Sequence, residues 1–256
     1  MQIDLNADVG EGFGAYTLGD DDALLNVLSS ANVACGFHAG DPVIMQRTIR
    51  TAAALNVDLG AHVGLPDLMG FGRRPMPVDP TELASYVVYQ LGALAGLATA
   101  QGVRLSHMSF HGALGNQIAA DSALADTLIA AVAAFDSQLI ISSSTSTAVE
   151  HAAARYGLRV ATTFLADRAY TAQGLLVPRS QPNAVISDYA HVTDRIQQFL
   201  QDGTVTCYSG EHIAINARSI LLHGDTPGAV SLARHIRTEI ENIGGIITPI
   251  SCMAYE

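Results

Sequence analysis

Hydrophobic and polar residues alternate at the beginning of the chain. Residues 3–9 read IDLNADV, with apolar side chains at every second position and two carboxylates and an amide between them. A period of two is typical of a β-strand with one apolar and one polar face. The polar face of such a strand is either solvated or turned into a cavity, and this stretch alone is compatible with both.

Strand-like runs and amphipathic helical segments alternate along the rest of the chain. The predicted strands cover residues 2–9, 32–37, 57–62, 105–110, 138–142, 159–165 and 219–223. The predicted helices cover residues 20–29, 42–55, 80–101, 121–135, 145–156, 188–201 and 227–243. Pro42, Pro80 and Pro227 stand where the first turn of a helix accepts proline, each after an Asp or Thr that can cap the helix.

This order of elements predicts an α/β fold. Strands that lead one after another into helices indicate a parallel β-sheet, which either stays open and doubly wound or closes into a barrel. The stretch GGIITPI, residues 244–250, is a candidate for an eighth, irregular strand. No low-complexity linker interrupts the chain, so residues 1–256 are predicted to form a single domain.

Composition and charge narrow the function classes. Hydrophobic residues make up 49% of the 256 residues and charged residues 14%, which is typical of a globular protein with a sizeable core. The formal net charge is −11, and the largest cluster of basic residues is the pair Arg73-Arg74. Nucleic acid and anionic membrane surfaces are therefore poor partners for this chain.

Cysteine usage and the N-terminus predict a cytoplasmic protein. Cys35, Cys207 and Cys252 are odd in number and far apart, as expected of reduced thiols. Acidic residues stand near the N-terminus where a signal peptide has a basic region and then an apolar one. The most apolar long segment, residues 87–100, is too short to cross a bilayer, so no membrane association is expected.

Histidines follow four of the predicted strands at equivalent positions. They are His38, His62, His111 and His223, four of the nine histidines in the chain, and each has a glycine within the next two residues. In parallel α/β architectures the active site lies at the C-terminal ends of the strands. A single histidine at a strand end is usually a hydrogen-bonded structural residue, but four at one level favour a cavity lined by imidazoles.

Charged residues accompany these histidines in the same loops. Asp167 and Arg168 follow the sixth predicted strand, and Asp225 follows the seventh. Arg73 and Arg74 lie in the loop after the third strand, where they either clamp a carboxylate or phosphate or form a solvated pair.

The polar face of the first strand points inward if the sheet closes into a barrel. Asp8 and Glu11 would then join the histidines at the mouth of the barrel. Asp4 and Asn6 would lie deeper, where a purely structural role is the alternative to contact with a ligand.

Motifs for other kinds of site give little support to competing functions. GEGFG follows the first strand, but its GxGxG spacing is unlike a dinucleotide site, and the motifs GxxxxGK[ST], HExxH and GxSxG are absent. Imidazole and carboxylate ligands suit zinc and related ions. Asp8, His38, His62 and His111 therefore form an alternative site for a divalent metal, whose presence and identity stay unknown at this point.

Six sequence blocks together resemble the LamB/YcsF family. They are DLNADVGEGFG (4–14), ANVACGFHAGDP (31–42), GAHVGLPDLMGFGRR (60–74), HGALGNQ (111–117), ADRAYTAQGLLVPRSQPNA (166–184) and HGDTPGA (223–229). The resemblance implies an irregular (β/α)7 TIM-like barrel of the glycoside hydrolase/deacetylase type. It also implies a component of an ATP-dependent 5-oxoprolinase, which acts with two further subunits to hydrolyse the lactam of 5-oxo-L-proline (pyroglutamate) to L-glutamate.

The sequence departs from the family pattern in three places. Ser109 stands where the family usually has Lys, Val63-Gly64 replaces a usual Pro-Ser, and Asn183 replaces a usual Gly. The replaced Lys would point into the barrel beside His111, so a cation is missing there. This difference bears on the substrate and on the reaction more than on the fold.

Hydrolysis of a lactam requires a more electrophilic amide and an activated water, and these needs assign roles to the candidates. The catalytic candidates are Asp8, Glu11, His38, His62, His111, Asp167 and His223. The substrate-binding candidates are Asn6, Arg73, Arg74, Arg168 and Asp225. ATP would be used by the assembled complex, since this chain has no phosphate-binding loop of its own.

Two alternatives from other classes remain open at this stage. One is a metal-dependent deacetylase or amidohydrolase that acts on another small amide. The other is a non-catalytic subunit that binds a small molecule and regulates a partner. The sequence also leaves the oligomeric state open, a homo-oligomer included.

Overall fold

The alternating N-terminal stretch forms the first strand of a closed parallel barrel. The computed structural model describes residues 1–226 and 228–255. Its strands are β1 (Gln2–Val9), β2 (Ser30–Ala34), β3 (Asp58–Val63), β4 (His107–Phe110), β5 (Ile140–Ser143), β6 (Arg159–Leu165), β7 (Thr204–Thr206), β8 (His212–Ala214), β9 (Ser219–His223) and β10 (Ile246–Ile247). The barrel order is β1-β2-β3-β4-β5-β6-β9, and β9 pairs back onto β1. This closure confirms the seven-stranded barrel and excludes an open, doubly wound sheet.

Helices surround the barrel. They are α1 (Asp21–Leu25), α2 (Pro42–Ala54), α3 (Pro80–Thr99), α4 (Gly112–Ala120), α5 (Ser122–Phe135), α6 (Thr147–Arg155), α7 (Tyr189–Asp202) and α8 (Ala229–Asn242). Within the described residues, no single helix is long and apolar enough to cross a membrane; α4 and α5 meet that test only jointly, and they are bent by 118°.

Capping residues determine where several helices begin. The side chain of Asp41 accepts hydrogen bonds from the backbone N–H groups of Val43 and Ile44, with Pro42 at the first helical position of α2. Asp79 caps α3 in the same way, ahead of Pro80. Both predicted helix starts are confirmed, whereas the predicted start of the last helix at Pro227 lies outside the described residues.

Several predicted boundaries are wrong, and one helix was missed. The second strand occupies Ser30–Ala34 instead of residues 32–37, because the chain turns after Ala34 through Gly36, whose φ is +94°. The first helix ends at Leu25 because the chain must enter β2 by Ser30. Helix α4 was not predicted, since it follows the fourth strand after only His111. The hairpin of β7 and β8 was also missed, and the eighth strand is confirmed as the two-residue β10, parallel to β1.

The two faces of β1 divide the structure into an apolar shell and a polar lumen. Ile3, Leu5, Ala7 and Val9 are buried in the hydrophobic core outside the barrel. The strand register places a largely polar set inside the barrel: Asp4, Asn6, Asp8, Ser30, Asn32, His62, His107, Ser109, Ser142, Thr163, Ser219 and His223. All of these lumen residues are buried, so the polar face of the first strand is not a solvated surface.

Asp4 lies at the lower end of this lumen with hydrogen bonds to both oxygens. Oδ1 accepts from the hydroxyl groups of Ser29 and Ser30, and Oδ2 accepts from Ser219, each at 2.6 Å. Burial nevertheless dominates and raises the pKa of Asp4 to about 6. Asp4 therefore serves the fold, with no connection to the mouth of the barrel.

We expect Asp4→Asn to remove part of the pH dependence of stability. The folded chain keeps the Asp4 proton up to about pH 6, whereas the unfolded chain loses it near 3.8. Stability therefore falls as pH rises through this window, by about 3 kcal/mol for a shift of this size. Urea unfolding between pH 4 and 7 should show a flatter profile for the variant than for the parent.

The exposed Asp194 on α7 provides the matched control. Asp194→Asn removes a carboxylate from the surface and leaves Asp4 in the lumen, so the fall in stability through this pH window should persist. An Asp4→Asn profile that is parallel to the parent's would contradict the assignment of this titration to Asp4.

Candidate functional site

A cavity of about 600 Å³ opens at the C-terminal ends of the strands. Six of the residues proposed from the sequence line it: Asp8, His62, Arg73, His111, Arg168 and His223. The opposite wall carries small and hydroxyl side chains, among them Ser142, Ser143 and Thr163. The volume is in the usual range for small-molecule sites, roughly 300–1,000 Å³.

The floor of the cavity is a hydrogen-bond network that holds Asp8. Asn32 donates from Nδ2 to Asp8 Oδ1 at 2.9 Å, and its Oδ1 accepts from Asn6 Nδ2 at 3.3 Å and from His107 Nε2 at 3.0 Å. His107 Nδ1 then accepts from the hydroxyl of Ser106 at 2.8 Å. Burial lowers the pKa of His107 to about 3, so this ring is neutral and acts as a fixed donor. Asn6 belongs to this floor, below the cavity.

His62 and His111 form the next layer, and their partners determine their tautomers. His111 Nε2 donates to the carbonyl oxygen of Phe71 at 2.8 Å, which leaves Nδ1 of this ring as an acceptor. That Nδ1 lies 2.9 Å from His62 Nε2, and His62 Nδ1 lies 2.6 Å from the Ser109 hydroxyl. His62 Nε2 is also 3.4 Å from Asp8 Oδ2. Ser109 thus orients His62.

Glu11 and His38 lie behind His111, away from the cavity. His38 is fully buried, and its Nε2 is 3.2 Å from Glu11 Oε1. The rings of His38 and His111 are stacked, with centroids 3.8 Å apart and planes 7° from parallel. Glu11 Oε1 is also 3.7 Å from His111 Nδ1. The structure therefore brings these residues together as one buried group, although His38 does not line the cavity.

The environments of the two carboxyl groups in this region shift their pKa values in opposite directions. Burial raises the pKa of Asp8, but the charges of His62 and His223 and the hydrogen bonds outweigh it, so that its pKa lies below the usual range. Burial raises the pKa of Glu11 well above its usual value, and the nearby Asp8 carboxylate adds to this. Glu11 therefore holds a proton more tightly than Asp8. Paired carboxyl groups whose environments separate their pKa values are typical of acid–base sites.

Burial also keeps two of the imidazoles neutral. It lowers the pKa of His38 well below its usual value, and the neighbouring His111 and His62 lower it further. The pKa of His111 is lowered in the same way, first by burial and then by His62. Neutral imidazoles can accept a proton or bind a cation through the unprotonated nitrogen.

A second catalytic candidate lies on the other side of the cavity. His223 Nδ1 is 2.9 and 2.8 Å from the two oxygens of Asp167, so this nitrogen donates and Nε2 is the acceptor. Arg179 Nη2 donates to that Nε2 at 3.2 Å, and Thr226 donates to Asp167 at 3.2 Å. Burial raises the pKa of Asp167, but the charge and hydrogen bond of His223 prevail and lower it. Asp167 therefore orients His223 so that its Nε2 points to the cavity, where Arg179 donates to it.

The arginines proposed from the sequence have different positions. Arg73 pairs with Asp225 at 2.8 Å across the mouth and lies 4.7 Å from the centroid of the Phe71 ring. Arg168 reaches the cavity wall, but its guanidinium donates to backbone carbonyls of residues 177 and 184. Arg74 pairs with Asp67 and lies outside the cavity. Of these three arginines, Arg73 and Arg168 therefore line the cavity and Arg74 does not.

Arg179 was missed by the sequence analysis although it lines the cavity. It stands in the long segment between β6 and α7, far along the chain from any strand end. The only sequence signal was its place in the block that ends RSQPNA, in which it is the one basic residue after Arg168.

Two glycines allow the imidazole layer to pack. A Cβ atom at Gly72, whose φ is +60°, would lie 2.7 Å from His38 Cβ and 2.9 Å from His111 Cδ2. A Cβ atom at Gly64 would lie 2.5 Å from His38 Nδ1. The loop after β3 therefore closes over the imidazoles only because these positions lack a side chain.

We expect Gly72→Ala to destabilise the chain by at least about 2 kcal/mol, since it combines overpacking with a left-handed backbone. Gly96→Ala is the matched control, because Gly96 is an exposed helical position with open space around it. That change should stabilise the chain by about 0.5–1 kcal/mol. Thermal unfolding of both variants measures the difference, and equal stability of the two would contradict the described packing.

Known proteins similar to this chain agree with the barrel fold. The model of the LamB/YcsF family matches residues 3–254. A protein of Pseudomonas syringae pv. tomato that carries the name of a 5-oxoprolinase A subunit is 66% identical, and the match covers 98% of each chain. A protein of Ralstonia nicotianae with the same kind of name is 59% identical, covering 98% of this chain and 96% of that protein. The crystal structure of the lactam utilization protein from Thermus thermophilus has a TM-score of 0.90 and 38% identity, covering 98% of this chain and 100% of that one.

Proposed function

Because the chain belongs to the LamB/YcsF family, we propose that it is a subunit of a 5-oxoprolinase, which hydrolyses the lactam of 5-oxo-L-proline to L-glutamate. Relatives at 66% and 59% identity that are named as 5-oxoprolinase A subunits support this. The name of the similar Thermus structure, a lactam utilization protein, agrees with a lactam as the substrate class. The relatives' naming as one lettered subunit also implies partner subunits, and we propose two of them in a cytoplasmic complex.

The observation that carries the proposal is the oriented pair of Asp167 and His223 facing Asp8 in one cavity. A lactam is a poor electrophile, so its hydrolysis needs a base to activate water and a proton for the departing nitrogen. His223 Nε2 can take the proton from water, because its Nδ1 is committed to Asp167. The same nitrogen can return that proton to the ring nitrogen as the C–N bond breaks.

The amide also needs activation, which ATP would supply by phosphorylating the lactam oxygen with release of ADP. Water would then add to the ring carbon and the C–N bond would break, and a second water would release the phosphate to leave glutamate. We assign this use of ATP to the assembled complex, since the sequence contains no GxxxxGK[ST] loop.

Arg179 and Arg73 are suited to hold the carboxylate of 5-oxoproline. Both guanidinium groups line the cavity, and planar guanidinium groups bind carboxylates through two parallel hydrogen bonds. Arg179 donates to His223, so a carboxylate that binds Arg179 would release His223 Nε2 from this contact. The remaining candidates, Glu11, His38, His62 and His111, form the buried group that supports Asp8.

Reconstitution with the two further subunits tests the function. The complex should release glutamate from 5-oxoproline only when ATP is present. His223→Gln should lower this rate about 10²–10⁴-fold, because it removes a general base and proton donor. His151→Gln changes an exposed histidine on α6 and is the control; it should leave the rate of glutamate release unchanged. A fully active, stable His223→Gln complex would remove this residue from the mechanism.

We expect Arg179→Gln to raise KM for 5-oxoproline about 10–100-fold in the same complex, as loss of a charged hydrogen bond does. KM for ATP should change much less. Arg74→Gln is the matched control, since Arg74 is held by Asp67 outside the cavity. If kcat falls and KM for 5-oxoproline stays unchanged, Arg179 orients His223 and does not bind the substrate.

A further inference from the structure

We propose that Glu11, His62 and His111 bind one divalent transition-metal cation, whose open coordination position faces Asp8 and the cavity. This inference goes beyond the proposed function and rests on the arrangement of donor atoms alone. It therefore holds or fails whether or not 5-oxoproline is the substrate.

The distances between the donor atoms fit a single cation. Glu11, His38, His62 and His111 are all buried and each offers one donor atom within 4.8 Å of the others. His62 Nε2 and His111 Nδ1 are 2.9 Å apart, and His111 Nδ1 and Glu11 Oε1 are 3.7 Å apart. Tetrahedral zinc with bonds of about 2.0–2.1 Å separates its ligand atoms by about 3.3 Å. The observed separations lie on both sides of that value, so small side-chain shifts suffice.

The outer nitrogens of the two imidazoles have the partners that metal-binding histidines usually have. His111 Nε2 donates to the carbonyl of Phe71, and His62 Nδ1 lies 2.6 Å from the Ser109 hydroxyl. Such partners fix the ring orientation and direct the inner nitrogen to the metal. Here the two inner nitrogens point at each other, and a cation between them would replace the single proton that they share.

His38 belongs to the cluster but its geometry excludes it from the ligand set. The lone pair of an imidazole nitrogen lies in the plane of the ring. The planes of His38 and His111 are 7° from parallel and their centroids are 3.8 Å apart, so one cation cannot lie in both planes. His38 Nε2 instead lies 3.2 Å from Glu11 Oε1. We therefore assign His38 as a positioning residue that directs the Glu11 carboxylate.

The donor set determines the kind of cation. Two imidazole nitrogens and one carboxylate oxygen suit Zn²⁺ and neighbouring ions such as Co²⁺, whereas Mg²⁺ and Ca²⁺ prefer oxygen ligands. Asp8 Oδ2 lies 3.4 Å from His62 Nε2 on the cavity side. A small molecule that approaches the cation from the cavity would therefore contact the hydrogen-bond acceptor Asp8 first.

Metal binding by the full chain, without partner subunits, tests the inference. The chain is stripped with a chelator and titrated with Co²⁺ or Zn²⁺ alone; bound metal is measured by elemental analysis and, for Co²⁺, by visible absorption. We expect one equivalent per chain and a tetrahedral Co²⁺ spectrum. Glu11→Gln, His62→Gln and His111→Gln should each lose the spectrum. His223→Gln and His151→Gln should keep it.

His38→Gln separates this ligand set from one that includes all three histidines. Since Gln can still donate to Glu11, the variant should keep one equivalent and the spectrum, with affinity about 10–100-fold weaker. Loss of the spectrum in folded His38→Gln would overturn the assignment. Circular dichroism checks the fold of each variant, and Glu11→Gln, nearly equal in size to the parent residue, serves where a histidine variant does not fold. Equal metal retention by parent and Glu11→Gln would overturn the site itself.

Discussion

Carboxylates buried inside a closed barrel must receive hydrogen bonds from neighbouring protein groups, because burial removes most of their hydration. The lumen of a TIM barrel is normally filled by branched apolar residues, whereas here it carries Asp4 and Asp8. Closure of the barrel supplies one of these donors, since pairing of β9 with β1 lets Ser219 donate to Asp4, and it also places His223 next to Asp8. The same pairing that removes the open edges of the sheet therefore assembles the site. An open sheet of the same sequence would leave both carboxylates without these partners.

Hydrogen bonding of the lumen side chains by neighbouring protein groups decreases from the lower to the upper end of the barrel. The role of the side chains changes along the same direction, from stability to candidate chemistry. At the lower end all donors and acceptors around Asp4 are used, so this layer can only contribute to stability. In the middle, Asn32 binds three groups at once and fixes Asp8. At the upper end, among the residues that the structure describes, the partner of His223 Nε2 is the side chain of Arg179, which is not part of a strand. The candidate catalytic groups thus lie at the end of the lumen where the strands end.

The sequence predicted those features of the site that follow from the two-residue period of the strands and from the common edge at which parallel strands end. Alternation determined which face of β1 points inward, and parallel strand ends determined that His62, His111 and His223 meet. It did not predict contacts made by long loops, such as that of Arg179, because no period relates such a residue to the barrel. It also did not predict that His38 turns away from the cavity, because the regular strand already ends at Ala34 and the chain turns at Gly36 before it reaches His38.

The two halves of the cavity are joined by a partly exposed ion pair, which affects how a ligand can bind. Asp8 and the buried imidazoles come from β1 to β4, whereas Asp167 and His223 come from β6 and β9. Arg73 and Asp225 cross the mouth between them at 2.8 Å, with 25% and 20% of their side chains exposed. Partly exposed pairs contribute little to stability, about 0–1 kcal/mol, so an anionic ligand can replace Asp225 as the partner of Arg73 at small cost. A ligand whose carboxylate enters between the two halves would then contact Arg73 and Arg179 together. The rest of that ligand would lie between Asp8 and His223, which the barrel holds in fixed orientations.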